Sequence, residues 1–225
     1  FEAIEADLTA ADLAKHSGEW VEPRGVDYHG ITLWELPPNG QGFAALMMLN
    51  IIKQADTATM ERGSPELFHL MVEAKRLAFE AMAQTFADPN FADIPVEELL
   101  SAEFAKAQFA RINSDSVLTA EALAVPLEGE GDTTYLTVAD ESGMMVSLIQ
   151  SNYRGMGSGL VPKGLGFMLQ DRGELFSLDP QHPNVYAPGK RPFHTIIPGF
   201  VTREGKPWMS FGLMGGGMQP QGHVQ

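Results

Sequence analysis

The spacing of apolar residues changes near residue 133, and this change constrains the fold more than any other feature of the 225-residue chain. Up to about residue 125, apolar residues recur mainly at helical intervals, whereas after residue 133 they alternate with polar residues as in strands. Residues 126–132 are polar and glycine-rich, which is typical of a linker without regular structure. The sequence therefore predicts a mostly helical part at residues 1–132 and a mostly β part at residues 133–225.

Capping signals mark the helices of the first part. Thr9, with Asp12 three residues later, predicts a short helix that ends near residue 16. Ser64 followed by Pro65 predicts the start of a long helix that continues through residue 87. The other expected elements of this part are helices at residues 42–54 and 96–112 and a strand at residues 31–36.

A hairpin is expected at the start of the second part. Two strand-like runs, residues 135–139 and 144–149, flank the turn residues Glu141, Ser142 and Gly143. Thr133 lies where this hairpin begins. A further strand is expected at residues 208–211.

Composition excludes several classes of function. The 29 acidic and 15 basic residues give a net charge of −14, whereas nucleic-acid binding needs clustered Lys and Arg, so no nucleic-acid partner is expected. The chain has no cysteine, which excludes disulfides, thiolate nucleophiles and Cys-ligated metals. Covalent chemistry would therefore have to use Ser, Thr, Lys or a carboxylate.

Targeting signals are missing from the sequence. No apolar run approaches the roughly 18 residues that a membrane-spanning helix needs, so no membrane segment is expected. The first residues are neither an initiator Met nor a basic signal-peptide start. We therefore expect a fragment or mature segment without its true N-terminus, and both a cytoplasmic and a periplasmic or secreted location stay open.

Thr133 is the candidate nucleophile. A threonine hydroxyl becomes nucleophilic when a base takes its proton, and its own α-amino group can serve if the residue is first in its chain. The Asp132–Thr133 bond, between a linker and a hairpin, fits a processed terminus. The alternative is an ordinary strand residue, because β-branched threonine favours strands.

Two further features of the second part have both a functional and a purely structural interpretation. The glycines at residues 215–217 would let backbone N–H groups approach an oxyanion, or they form a simple turn; a phosphate loop is disfavoured because no Lys-Ser/Thr follows. The six histidines lack metal-ligand spacing, so no metal site is expected. His194, in an apolar stretch, is either a structural histidine or a site residue.

Ordered motifs connect the second part to a known family. They are Thr133-Thr134-Tyr135-Leu136, Val146-Ser147-Leu148, Gly157-Ser158-Gly159, Phe176-Ser177, Pro188-Gly189-Lys190-Arg191-Pro192 and Met214-Gly215-Gly216. In this order they resemble the small-subunit start of γ-glutamyltransferase-type enzymes, which are N-terminal-nucleophile hydrolases. Upstream, residues 37–42 and the helices around Glu73 resemble the end of the large subunit, so the resemblance covers nearly the whole chain.

The resemblance implies an α+β fold, a four-layer αββα sandwich made as an inactive precursor. Residues 1–132 would be the C-terminal part of the large (α) subunit and residues 133–225 the N-terminal part of the small (β) subunit, together one catalytic domain of a longer chain. Cleavage would leave a heterodimer of the two subunits, with a dimer of such heterodimers left open. No metal or organic cofactor is implied.

The resemblance also assigns roles in catalysis. Thr133 would attack the Asp132 carbonyl, form an ester that water releases, and then attack the substrate with the same hydroxyl. Ser151 would hydrogen-bond to the nucleophile and orient it. The N–H groups of Gly215 and Gly216 would form the oxyanion hole.

Several positions depart from the pattern of γ-glutamyl-specific members. The Asp that binds the substrate amino group falls at Leu175, and a Ser-Ser pair falls at His194-Thr195. Tyr153 stands where the family has an asparagine. The family's carboxylate-binding arginine lies upstream of this sequence. The candidate substrate-binding residues are Asn152, Tyr153, Glu174, His194 and Thr195.

The expected function is that of an autoprocessing acyltransferase or amidohydrolase. It would cleave γ-glutamyl amides such as glutathione through a threonyl acyl-enzyme. One alternative is a related acylase acting on glutaryl-type amides, as cephalosporin acylases of the family do. The other is a catalytically degenerate binding protein with the same fold.

Overall fold

The computed structural model describes residues 8–119 and 131–225, and for residues 131 and 132 it describes the backbone alone. The described elements are α1 (Ala10–Lys15), β1 (Arg24–Tyr28), β2 (Ile31–Glu35), α2 (Gly42–Ile52), α3 (Pro65–Thr85), α4 (Val96–Leu99), α5 (Ala102–Phe109), β3 (Gly131–Ala139), β4 (Met145–Arg154), β5 (Gly199–Arg203), β6 (Lys206–Phe211) and α6 (Gln219–Val224). Short 3₁₀ turns occur at Thr57–Thr59, Arg172–Leu175 and Gly216–Met218.

The strands form two antiparallel sheets. One has four strands in the order β1-β2-β5-β6, and the other is the hairpin β3-β4. In the larger sheet Leu33 of β2 lies opposite Val201 of β5, so strands from both halves of the sequence share one sheet. The fold is therefore mixed α/β with antiparallel sheets. Strands β1 and β5 were absent from the sequence predictions.

The core is organised around α2. Every residue of this helix except Asn50 is buried, because α3, α5 and α6 contact it together with β1 and β2. This explains why α2 is apolar on all sides: a helix without a solvent face has no position that favours a polar side chain. Phe43 and Phe86 pack edge to face within the same core, with ring centroids 6.1 Å apart.

Capping residues fix the helix boundaries. The predicted helix starts at Thr9 and Ser64 are confirmed, since each side chain accepts a backbone N–H from the first turn of its helix. The prediction of one helix over residues 96–112 was wrong. Ser101 accepts a hydrogen bond from the Phe104 N–H and begins a new helix, so the segment divides into α4 and α5.

The predicted hairpin is confirmed and is longer than expected. Strand β3 begins at Gly131, so residues 131 and 132 belong to a strand and the prediction that they lack regular structure was wrong. The rest of the predicted linker, residues 126–130, lies outside the described residues. No helix in the described part of the chain is long and apolar enough to span a membrane.

The hairpin contacts the end of β6. The Tyr135 hydroxyl lies 2.8 Å from that of Ser147, which donates a 3.2 Å hydrogen bond to the Phe211 carbonyl. A Cβ at Gly212 would lie 2.5 Å from the Tyr135 ring, so only glycine allows this approach. This contact sets the hairpin beside the glycine-rich segment that follows β6.

Candidate active site

Thr133 and Ser151 lie opposite each other in the β3–β4 pairing. The Thr133 hydroxyl donates a 2.9 Å hydrogen bond to the Ser151 hydroxyl, and both residues are half-buried. A bulge between Gly131 and Thr133 interrupts the register at this end of the hairpin. A bulge turns a side chain away from its regular direction, which is a common device next to functional sites. The structure thus brings the predicted nucleophile and its predicted partner together.

Tyr153 holds Ser151 from the other side. Its N–H donates a 2.9 Å hydrogen bond to the Ser151 hydroxyl. Tyr153 is buried and has a φ of +83°, a conformation that bulky residues rarely adopt. Backbone strain of this kind persists only where the surroundings fix it, so the end of β4 is tightly determined.

The Gly215–Gly216 turn offers backbone donors. The φ angles are +130° and +55°, which disfavour any side chain. Gly216 opens the Gly216–Met218 turn that leads into α6, and the first N–H groups of a helical segment have no partner within it. Within the described residues, neither glycine N–H donates a hydrogen bond.

Gln41 connects this turn to the rest of the site. Its side chain is fully buried, and its amide nitrogen donates to the Gly216 carbonyl at 2.7 Å and to the Thr195 carbonyl at 2.6 Å. A buried side chain that makes two such bonds has little freedom to move. The position of the glycine turn is therefore set by the N-terminal end of α2.

Arg172 is a residue of this region that the sequence did not predict. It is 6% exposed, its Nη1 donates to the Thr195 hydroxyl at 3.1 Å, and its guanidinium lies 5.1 Å from the centre of the Tyr153 ring. Burial lowers its pKa from the usual value. No sequence motif predicts this residue, because its burial depends on segments that are distant in sequence.

His194 packs against Gly40. A Cβ at Gly40 would lie 2.7 Å from the imidazole Cε1, and the His194 backbone bonds to Asn39 and Gln41 at 3.1 Å each. Burial, with Arg172 and Arg191 nearby, lowers the His194 pKa to about 4. The imidazole is therefore neutral near pH 7. Its Nδ1 has no hydrogen-bond partner in the described structure.

The other predicted substrate-binding residues occupy different surroundings. Glu174 is exposed and forms an ion pair with Arg154 at 2.5 Å. Asn152 accepts the Asp171 N–H through its carbonyl at 3.2 Å. Thr195 is buried and bound to Arg172, whereas Leu175 packs against the core. The Asp132 side chain lies outside the described part.

A chain of contacts therefore joins the two predicted catalytic elements. It runs from Thr133 through Ser151, Tyr153, Arg172, Thr195 and Gln41 to Gly216. A separate cleft of about 650 Å³ includes His194 and Arg191 in its wall but not Thr133. In the described ranges, no group of three His, Cys, Asp or Glu residues is arranged to hold a metal ion.

Comparisons with known proteins identify relatives over the whole chain. A model of the family described as gamma-glutamyltranspeptidase matches residues 1–225. The chain is 41% identical over 217 residues to the glutathione hydrolase-like YwrD proenzyme of Bacillus subtilis (strain 168). The matched region covers 95% of this chain and 40% of that protein. It is 36% identical over 222 residues to the oxamate amidohydrolase proenzyme of Klebsiella pneumoniae, covering 97% of this chain and 40% of that protein.

A solved structure resembles the fold closely. The cephalosporin acylase from Bacillus halodurans matches with a TM-score of 0.91 at 45% identity, over 100% of this chain and 40% of that chain. The chain thus spans about 40% of the length of the relatives it matches.

Proposed function

Because the chain belongs to the γ-glutamyltranspeptidase family, we propose that it carries the nucleophile of an autoprocessing amidohydrolase or acyltransferase, and that the nucleophile is Thr133. The observation that carries the proposal is the 2.9 Å hydrogen bond from the Thr133 hydroxyl to Ser151, at the end of a hairpin beside a glycine turn. Amide cleavage is also supported by the relatives, which are named as a glutathione hydrolase-like proenzyme, an oxamate amidohydrolase proenzyme and a cephalosporin acylase.

Maturation would be the first reaction of Thr133. Its Oγ1 attacks the carbonyl carbon of Asp132, the peptide C–N bond breaks, and an ester joins the two residues. Water then hydrolyses the ester, which leaves a carboxylate on Asp132 and a free hydroxyl and α-amino group on Thr133. The amino group can now act as the base of the nucleophile.

Substrate cleavage would repeat the same attack on an amide. The α-amino group of Thr133 takes the proton of Oγ1 and passes it to the leaving amine. The acyl group stays on Thr133 as an ester until water, or an acceptor amine, resolves it. Ser151 would hold Oγ1 in position, and the N–H groups of Gly215 and Gly216 would stabilise the developing oxyanion; such a donor typically contributes about 2.7–4 kcal/mol.

The proposed substrates are small amides with an acidic acyl group. γ-Glutamyl amides such as glutathione are one class, and glutaryl-type amides are the second. The second class is favoured by Leu175, because an apolar side chain at this position cannot pair with the ammonium of a γ-glutamyl group. Asn152, Tyr153, His194 and Thr195 remain proposed substrate-binding residues, whereas the Glu174 carboxylate is already paired with Arg154.

The architecture of the mature protein is part of the proposal. The two sheets and their helices would form a four-layer αββα sandwich once the remaining length of the family's chain is added. Residues 1–132 would end the large subunit and residues 133–225 would begin the small one. The two subunits would form a heterodimer, and two heterodimers can associate further.

The test is the state of the Asp132–Thr133 bond. The complete protein, purified and run on a denaturing gel, is expected to give two fragments, and N-terminal sequencing of the smaller is expected to begin at Thr133. Thr133→Ala is expected to stay whole and to lack amidase activity. Thr134→Ala is the control, since it changes the neighbouring threonine and should still split. Cleavage of Thr133→Ala at the same bond would refute the proposal.

A further inference from the structure

Arg172 is a buried cation that forms no ion pair with a carboxylate of the described residues. It is 6% exposed, and among the described residues it makes no ion pair within 4.0 Å; its Nη2 has no hydrogen-bond partner either. The nearest carboxylate in sequence, Asp171, accepts the N–H of Arg154 at 3.2 Å. A guanidinium removed from water costs several kcal/mol unless an anion or several acceptors compensate it. The single bond to Thr195 and the Tyr153 ring compensate it in part.

Its place in the network connects Arg172 to the chemistry. The Tyr153 ring lies 5.1 Å from the guanidinium carbon, and the Tyr153 N–H binds the same Ser151 hydroxyl that receives the hydrogen bond from Thr133. Thr195, the hydrogen-bond partner of Arg172, is joined through Gln41 to Gly216. The guanidinium therefore belongs to the network of contacts that connects the proposed nucleophile with the proposed oxyanion donors.

The groups around Arg172 favour an anion over a cation. His194 is neutral near pH 7, Leu175 is apolar, and the one acidic side chain of this 3₁₀ turn, Glu174, is exposed and paired with Arg154. The other carboxylate close to the guanidinium, Asp171, accepts the Arg154 N–H and is too near Arg172 to favour a second cation there over an anion. A guanidinium with free N–H groups matches the two oxygens of a carboxylate.

We propose that Arg172 binds a carboxylate at the far end of the acyl group, so that the preferred substrates are monoamides of dicarboxylic acids without an α-ammonium. Glutaryl amides are the example used for the test. The inference rests on the proposed function and narrows it. The reaction is hydrolysis of the amide: water supplies the hydroxyl of the new carboxylic acid, and the amine leaves with a proton.

The test uses three p-nitroanilides that share a five-carbon acyl chain. Glutaryl anilide ends in a carboxylate, pentanoyl anilide ends in a methyl group, and γ-glutamyl anilide carries both the carboxylate and an ammonium. For the complete, processed protein we expect kcat/KM to be at least about 10-fold higher for glutaryl than for pentanoyl anilide, the size of one charge-assisted hydrogen bond. We expect γ-glutamyl anilide to be no better than glutaryl anilide. Equal or reversed values for glutaryl and pentanoyl anilide overturn the proposal without any variant.

Substitutions at Arg172 distinguish a role in substrate binding from a role in folding. Arg172→Gln is expected to lower kcat/KM for glutaryl anilide by about 10- to 100-fold but that for pentanoyl anilide by less than about 3-fold. Arg172→Lys, which keeps the charge without the planar fork, should restore part of the preference. The matched control is Arg203→Gln, which removes the same charge from an exposed arginine that also lies against an aromatic ring, Trp208; it should leave the preference unchanged.

The outcomes distinguish failure of the Arg172 inference from failure of the proposed amidase function. An equal loss of both activities in Arg172→Gln shows a structural role and overturns the inference, while the amidase function stands. Absence of turnover for all three anilides, together with an unsplit chain, overturns the proposed function and the inference with it.

Discussion

The geometry of the proposed nucleophile depends on the Ser151 hydroxyl. It accepts hydrogen bonds from the Thr133 hydroxyl and from the Tyr153 N–H, each at 2.9 Å. A hydroxyl has two acceptor positions, and here both are used, so the three groups fix one another. Tyr153, whose backbone φ is +83°, donates its N–H to Ser151 as part of the same arrangement.

Ser151→Ala tests this arrangement. Removal of the hydroxyl leaves the Thr133 and Tyr153 donors without their acceptor, so kcat/KM for a reactive anilide is expected to fall by about 10- to 100-fold. Ser151→Thr keeps an oxygen at the same position and is expected to retain most of the activity. The measurement is steady-state kinetics on protein whose processing has been checked by gel. An unchanged kcat/KM in Ser151→Ala would contradict the positioning role.

His194 predicts a pH dependence of stability. Its folded-state pKa of about 4 lies below the usual value near 6.5, so the unfolded chain binds a proton first as the pH falls. The contribution of the neutral imidazole is complete above about pH 6.5 and is lost as the pH falls through about 4. The unfolding free energy of the wild type relative to His194→Gln is therefore expected to decrease over this window.

The measurement is urea unfolding at several pH values between 7 and 4. His16→Gln, which replaces an exposed histidine, serves as the control and should show a constant difference from the wild type. A constant difference for His194→Gln as well would contradict the assigned burial.

Contacts of the candidate site were predictable only where the sequence carries a local pattern, and the catalytic roles of its residues stay predictions. Thr133 and Ser151 could be found because ordered motifs resemble a family, and the hairpin that pairs them follows from alternation around a Gly143 turn. Arg172 could not be found, since its significance arises from burial against Tyr153 and Thr195, which no spacing encodes. The same reason explains Glu174: its pairing with Arg154 depends on the fold of the loop between them.

At the scale of elements, the glycine turn before α6 is the proposed oxyanion hole. Its backbone conformation is possible because Gly215 and Gly216 have no side chain, and its position is set by Gln41 at the start of α2. An N–H pair that starts a helical segment is oriented by the turns that follow it. In the proposed mechanism the element would supply two donors that need no reorganisation during the reaction.

Gly216→Ala and Gly205→Ala form a matched pair. Both glycines have positive φ, +55° and +73°, and neither has an atom within 4 Å of the position of an added Cβ. Both substitutions are therefore expected to lower the unfolding free energy by about 1–2 kcal/mol through the backbone alone. Only Gly216→Ala, which shifts an oxyanion donor, is expected to lower kcat as well, by about 100-fold.

Denaturant unfolding and kinetics on the two purified variants check this. An equal loss of kcat in both variants, or a loss in neither, would contradict the role of the glycine turn.

Element boundaries followed from the sequence where capping residues act locally. The Ser64 cap and Pro65 defined the start of α3, and the hairpin was recognisable from its turn. The division between α4 and α5 was missed because a helical apolar pattern continues across Ser101. The second helix begins there because the Ser101 hydroxyl accepts the Phe104 N–H as a cap. Strand β5 was missed because it is short and follows a segment without alternation.

At the scale of the whole molecule, both halves of the sequence build one structure. Strand β2 pairs with β5, and Glu35 of β2 binds His223 of α6 at 2.5 Å with both side chains fully buried. Burial raises the Glu35 pKa, and the contact with His223 opposes this effect. Cleavage between residues 132 and 133 would therefore leave two pieces that stay associated through their shared sheet and core.

Asp88 is a second connection between the halves. It accepts hydrogen bonds from the backbone and guanidinium of Arg191, 103 residues away, at 2.9–3.2 Å. Burial favours the neutral form of Asp88, but the hydrogen bonds from Arg191 outweigh it and lower the pKa below its usual value. The stabilisation is thus complete above the unfolded-state pKa near 4 and is lost as the pH falls through the lower folded-state value.

Asp88→Asn is expected to lower the unfolding free energy by about 2 kcal/mol at pH 7, because Arg191 loses its buried charged acceptor and keeps the exposed Glu19. The difference from the wild type should shrink below about pH 4, because the unfolded chain binds a proton at this carboxyl there, whereas the folded carboxylate does so only at lower pH. Urea unfolding at pH 7 and at pH 3–4 provides the measurement. Asp93→Asn, an exposed carboxylate in the same loop, should have little effect at either pH. A difference at pH 7 no larger than that control would contradict the account.

The central claim is that Thr133 carries the acyl group during turnover, and mass spectrometry of the trapped intermediate tests it most directly. The processed protein is mixed with excess glutaryl or γ-glutamyl anilide, quenched in acid and digested. The peptide beginning at Thr133 is expected to gain the mass of the acyl group, with fragmentation placing it on Thr133, and Thr133→Ala is expected to gain none. Acylation of any other residue, or burst release of the aniline without acylation of Thr133, would contradict it.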